Sequence, residues 1–376
     1  MNAASGGYSA AQAVRTGGKA EVRDALVTAR ARTLLLADAF TDGLASHALQ
    51  VPYRATLNPP LWEWGHVAWF QEWWIGRNRQ RARGVACDPD HARAPSLMAN
   101  ADALYDSGRV AHATRWHLPL PGASGTRDYM AATFDQTLAA LIALDANAGD
   151  DDLYFFRLVA LHEHMHAEAA CYMAGALGIA VPPRALRPVP ALQPAPCALH
   201  VPAREFVAGW SGPGFAFDNE LQPVTVRLEA FDIDAQPVSW EQFLEFVHAT
   251  GHGDRDSWAQ RAQAGAAAAH LTASDAQAWC RWAGRRLPTE FEWECAALTD
   301  PDFTWGQVWE WTGSPFEPYP GFGPHPYRDY SAPWFGSRRV LRGACPATSH
   351  SLAHPRYRNF FEPQRSDIFS GFRSCA

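Results

Sequence analysis

A chain of 376 residues is long for one hydrophobic core and suggests two domains. With 47% hydrophobic and 19% charged residues it has the composition of a soluble globular protein. Its formal net charge of -7, with arginines scattered along the chain, argues against a nucleic-acid partner, because nothing forms a phosphate-tracking stripe.

Residues 1–20 are small and polar and lack the continuous apolar run of a signal peptide or membrane anchor, so they are expected to be disordered. Helical periodicity then runs over 22–47, 60–79, 126–144 and 151–177, a set expected to form a four-helix bundle across 21–180. The last segment opens on Asp150, Asp151 and Asp152, which suit the positive end of a helix, and should stop near Gly178. Between 181 and 198, Pro182, Pro183, Pro188, Pro190, Pro194 and Pro196 remove backbone donors and impose an extended path, which marks a linker.

From 199 to 376 the texture changes. A short alternating strand is expected at 224–228 and modest helices near 240–247 and 274–282. No long helix is expected after residue 305, yet this stretch is too aromatic to be disordered. The seven cysteines are odd in number and contain no C-x-x-C pair, which fits a reducing cytoplasm.

The strongest chemical signal is His162-Glu163-His164-Met165-His166. On a helix, His162 and His166 lie four residues apart on one face, a metal-chelating spacing. The same letters satisfy the H-E-x-x-H pattern of zinc peptidases, with Glu163 as general base, so the pair alone leaves metal and reaction open. The candidate third ligand is His66, within the aromatic helical stretch 62–69. His164 falls on another face and reads as surface or supporting, while Glu163 and Glu168 are candidates to orient the imidazoles or simply to lie on a solvated face.

Five motifs of the second half occur in the order of the formylglycine-generating-enzyme domain, a relative of the C-type lectin fold. They are Phe217-Asp218-Asn219-Glu220, the run from Arg286 to Glu294, Val308-Trp309-Glu310-Trp311, Arg342-Gly343 and Ser370-Gly371-Phe372-Arg373. The first half resembles the DinB-like four-helix domain. Together they resemble the iron-dependent sulfoxide synthases of ergothioneine biosynthesis, and most closely the selenoneine synthases among them. The resemblance implies an α+β chain: a DinB-like bundle followed by an irregular, lectin-like catalytic domain.

It also implies Fe(II) held by His66, His162 and His166, with dioxygen as co-substrate and hercynine, the trimethylated histidine betaine, as acceptor. Tyr327 matches the family's tyrosine for proton or electron delivery, and Tyr330 a tyrosine on the substrate side. Asn359, Phe360 and Phe361 match the segment that holds hercynine, where aromatic rings suit a quaternary ammonium. Members that use gamma-glutamylcysteine share an H-P-R-x-x-R segment and an acidic residue two positions after the asparagine. Here the segment from Val110 to Arg115 keeps only Arg115, and the acidic position is Phe361. A selenosugar or a smaller thiol donor, with Arg115 as the remaining cationic contact, is therefore expected. The competing readings are a zinc peptidase, a copper-dependent formylglycine-generating enzyme built on Cys345, and a noncatalytic lectin-like module.

Overall fold

One long helix, buried on nearly all sides, organises the N-terminal half. The computed structural model describes residues 3–194 and 197–376, so Pro196 of the linker and the first two residues lie outside the described residues. Helices α1 (Ala3–Thr16), α2 (Lys19–Gly43), α3 (Pro60–Gln71), α4 (Ala101–Tyr105), α5 (Ala123–Ile142) and α6 (Asp150–Leu177) follow in order. Each periodic segment of the sequence therefore becomes a helix, as α2, α3, α5 and α6.

Every residue of α6 from Leu153 to His164 is buried, so the bundle is built around it. Its start is fixed by the Asp152 carboxylate, which accepts from the Gly149 backbone N–H at 3.0 Å. It ends at Gly178, whose φ of 70° is the left-handed conformation that glycine adopts without a Cβ clash. Helix α3 begins with proline at its first position, where the missing N–H costs nothing, and runs into a wider turn over Glu72–Gly76.

The N-terminal stretch departs from the expected disorder: it is helical over Ala3–Thr16, and Ala11 and Val14 are buried. Its anchor is Arg15, which donates to both carboxylate oxygens of Glu220 at 2.9 and 2.8 Å and sits 5.2 Å from the Trp210 ring centroid. Local composition misses this because the stabilising partner is remote in sequence.

In the second half, β1 (Ala198–Val201) pairs antiparallel with β4 (Phe231–Asp234), and β2 (Arg204–Ala208) with β3 (Val224–Leu228). Strands β5 (Trp309–Pro315), β6 (Arg339–Gly343), β7 (Asn359–Phe361) and β8 (Ser370–Gly371) form a mixed sheet in the order β7-β6-β5-β8. Helices α7 (Trp240–Thr250), α8 (Arg255–Arg261), α9 (Ala273–Trp282) and α10 (Glu290–Thr299) precede that sheet, and no helix longer than a single 3-10 turn follows Trp305.

The ordered motifs converge as buried ion pairs. Glu290 accepts from Arg342 at 2.8 Å and from Arg358 at 2.7 and 2.9 Å. Glu310 accepts from Trp293 at 2.8 Å and from Arg373 on both oxygens. These acidic and basic motif residues hold the irregular domain together. The two halves meet through Arg15 and Glu220, and through Trp309, whose indole N–H donates to Glu168 of α6 at 2.6 Å.

Replacing Arg15 by Ala removes the ion-pair partner of the fully buried Glu220, which is expected to cost about 3–5 kcal/mol of stability. Chemical denaturation with circular dichroism checks this; a loss under about 1 kcal/mol would mean that α1 is not a structural latch.

Candidate metal centre

Helix α3 supplies His66, and α6 supplies His162 and His166 from one face, so three imidazoles meet where the helices pack. Their ligand atoms all lie within 4.8 Å of one another, the sole such metal-competent group found among the described residues. The Nε2 atoms of His162 and His166 are 3.2 Å apart. Such close approach of ring nitrogens suits a shared cation.

The remaining nitrogens fix the tautomers. His66 Nδ1 donates to the Tyr105 carbonyl at 2.8 Å, and His166 Nδ1 donates to Glu63 at 2.6 Å, so both turn an Nε2 lone pair inward. Gly65 makes the first bond possible, because a Cβ there would sit 2.1 Å from the Tyr105 ring. Stacking sets the ring planes: Phe70 lies on His162 at 3.5 Å and Trp62 on His66 at 4.9 Å, each within 7° of parallel. Burial brings His66 down to about 3 and His162 well below its usual value, so both are neutral near pH 7. Burial works against ionisation of Glu63, yet the charge and hydrogen bond of His166 hold its carboxyl at about 2. A three-nitrogen face with two of its second nitrogens anchored and the third ring held by stacking fits a borderline divalent transition metal.

A cleft opens from His162 and His166. Its outer part, about 490 Å³, is lined by Met165, Tyr327, Tyr330, Trp334, Phe360 and Phe361 among others. It continues into a chamber of about 350 Å³ that also takes in Trp309, Tyr357 and Asn359. The Tyr327 ring stands 4.9 Å from Phe70 and 6.0 Å from His162, and burial together with Asp329, Asp218 and Asp106 pushes its phenol well above the usual range. Tyr330 donates to the Tyr357 hydroxyl at 3.1 Å, and Tyr357 to the Met165 sulfur at 3.4 Å.

Of the residues singled out from sequence, His162, His166, Tyr327, Tyr330, Asn359, Phe360 and Phe361 thus line one cleft, and His66 meets the two helix histidines without lining it. Arg115 lines neither part of it; its guanidinium donates to Asn58 at 2.9 Å and lies 3.7 Å from the Trp62 ring centroid. Glu163 and Glu168 do not orient the imidazoles and are not solvated. Glu163 accepts from Arg30 at 2.8 and 3.3 Å, and Glu168 accepts from Trp309 and Tyr172. His164 is buried rather than on the surface, and its ring nitrogens touch no ligand histidine. Sequence reasoning missed Glu63, although it lies three residues before His66, a spacing that places it on the same side of α3. Glu163 is consumed by Arg30 and faces away from the cleft, which leaves the peptidase pattern without its general base. Cys345 is packed against Thr348 and Tyr172.

Residues 185–305 and 301–376 match the family described as the sulfatase-modifying factor enzyme 1-like domain. The chain is 31% identical to a hercynine oxygenase of Mycolicibacterium smegmatis over 93% of this chain and 97% of that relative. It is 30% identical to a hercynine oxygenase of Mycobacterium tuberculosis over 93% and 96%. A shorter likeness, 31% over 33% of this chain and 56% of the relative, is to a formylglycine-generating enzyme of Streptomyces coelicolor. No helix among the described residues is long and apolar enough to cross a membrane.

Exchanging Glu63 for Gln keeps its shape but removes the charge on His166, and is expected to weaken divalent-metal binding about 10- to 100-fold. Anaerobic titration with Fe(II) or Co(II) measures it, and His162→Ala is expected to abolish stoichiometric uptake. Wild-type affinity in both variants would remove the metal from this site.

Proposed function

The chain belongs to the sulfatase-modifying factor enzyme 1-like family, among the hercynine oxygenases, and on that premise we propose that it is a nonheme Fe(II)- and O2-dependent oxidoreductase acting on hercynine. The observation that carries this reading is the convergence of His66, His162 and His166, two of which line an aromatic cleft. Iron(II) held by these imidazoles would supply dioxygen activation beside the acceptor and the donor. The reaction is formation of a carbon-chalcogen bond at the imidazole C2 of hercynine. In this reading α2, α3, α5 and α6 are the DinB-like bundle, and the chain works in a reducing cytoplasm, in keeping with seven free cysteines.

The protein's own groups have separable tasks. Tyr330, Phe360 and Phe361 present aromatic surface to the trimethylammonium group, and Asn359 on the chamber wall offers a polar contact. Holding acceptor and donor in one cleft supplies the proximity that favours coupling over loss of the donor by oxidation. Tyr327, whose raised phenol remains protonated at neutral pH, holds a proton at its hydroxyl on the His162 side of the cleft and can release it as dioxygen is reduced.

The donor is a selenosugar, giving selenoneine. At the outer cleft, Arg338 is paired with Glu362 at 2.7 Å and Arg365 with Asp367 at 2.5 and 2.6 Å. Charges already matched to one another suit a neutral, hydroxyl-rich donor better than a zwitterionic peptide. The second reading is carbon-sulfur bond formation with cysteine or gamma-glutamylcysteine, and it draws on Arg365, a guanidinium that lines both parts of the cleft.

An aerobic reaction of Fe(II)-loaded protein with hercynine and equal selenoglucose, cysteine and gamma-glutamylcysteine tests the donor by mass spectrometry. A selenium adduct of hercynine is expected as the main product; a sulfur adduct alone would transfer the activity to the second reading, and no adduct would favour a noncatalytic module. In Tyr327→Phe, metal content is expected to stay intact while coupled product falls relative to oxidised donor. An unchanged ratio would take Tyr327 out of the reaction.

A further inference from the structure

Arg115 sits outside the cleft, yet it reaches two of the three histidines by separate routes. Along the first, its guanidinium donates to Asn58 Oδ1 at 2.9 Å, Asn58 Nδ2 donates to Glu63 Oε1, and Glu63 Oε2 accepts from His166 Nδ1 at 2.6 Å. The direction of every bond in this chain is forced. A guanidinium only donates and a carboxylate only accepts, so the amide of Asn58 has a single orientation that satisfies both neighbours. Along the second route, the guanidinium carbon lies 3.7 Å from the Trp62 ring centroid, and that indole stacks on His66 at 4.9 Å and 7°. Trp62 is itself pinned, since its N–H donates to the Leu104 carbonyl at 2.8 Å.

The turn that carries Arg115, His112–His117, is fastened to the segment entering α3. His112 Nε2 donates to the Leu57 carbonyl and Trp116 Nε1 to the Val51 carbonyl, each at 2.8 Å. Arg115 is therefore held in place independently of any ligand in the cleft. Its charge also offsets that of Glu63, so the relay as a whole is neutral. A divalent ion held by the three imidazoles would then keep its charge uncompensated by this relay.

We propose that Arg115 is a positioning residue of the metal centre, acting on His166 through Asn58 and Glu63 and on His66 through Trp62, and that it does not contact the donor. This rests on the metal reading of the three histidines. It replaces the assignment of Arg115 to a donor carboxylate with a role in metal affinity.

The test is anaerobic Fe(II) and Co(II) titration of the full chain and of Arg115→Met, Arg115→Lys and Asn58→Leu, with KM for the donor measured at saturating metal. R115M and N58L are each expected to bind metal at least about tenfold more weakly, and in R115M, whose side chain lies outside the cleft, KM for the donor is expected within about twofold of wild type. R115K, which keeps the charge but lacks the planar fork, is expected between them and wild type. The double variant R115M/N58L is expected to lose little more than either single one, because both interrupt the same relay. Wild-type metal affinity in R115M, or a tenfold rise in donor KM with metal affinity unchanged, would overturn the proposal. If R115M fails to fold by circular dichroism, N58L and R115K replace it: weakened metal binding in both with an unchanged donor KM in R115K supports the relay, and wild-type affinity in both overturns it. No metal uptake by wild type would overturn the metal reading itself, an outcome visible without hercynine, donor or oxygen.

Discussion

Three imidazoles must aim their lone pairs at one point inside a low-dielectric interior, and the rest of the structure depends on meeting that requirement. A buried histidine is free to rotate or to present the wrong nitrogen unless its second nitrogen is tied down. Here the tie is a backbone carbonyl for His66 and a carboxylate for His166, while Phe70 holds the plane of His162. Each of these supports needs support in turn. Tyr105 approaches His66 because residue 65 is glycine, and Glu63 remains ionised because Asn58 and His166 both donate to it.

The C-terminal domain contributes much of the wall of the cleft rather than any of the three clustered histidines. Its loops have little regular hydrogen bonding to fix them, and the buried pairs of Glu290 with Arg342 and Arg358, and of Glu310 with Arg373, act as internal fasteners. Removing one member of such a pair strands a charge, which makes these positions intolerant of change without making them catalytic. The link to chemistry runs through Trp309: its indole N–H reaches Glu168, two residues beyond His166 on the same helix. Cleft wall and the histidine-bearing helix are thereby held in one register.

Helix α6 and the shared face of His162 and His166 were legible because they are local. Periodicity over 151–177 and the spacing of His162 and His166 need no knowledge of distant residues. The strand at 224–228 and the helices at 240–250 and 273–282 were legible for the same reason. Helix α10 was hidden although Thr289 and Glu292 form a capping box across its first turn. It buries Glu290, Glu292 and Glu294 alongside Trp293, so no clean apolar stripe marks it as a helix. The docking of α1 and the duties of Glu63, Glu163 and Arg115 depend on partners brought near by the fold. For Glu163 the partner is 133 positions away, and no periodicity encodes it.

The most direct measurement of the central claim is X-ray absorption at the iron edge of the Fe(II)-loaded, oxygen-free protein, compared with His162→Ala. Three imidazole ligands and no sulfur are expected for the wild type, with that signature lost in the variant. A thiolate ligand, or an imidazole count that His162→Ala leaves unchanged, would contradict an iron centre built from His66, His162 and His166.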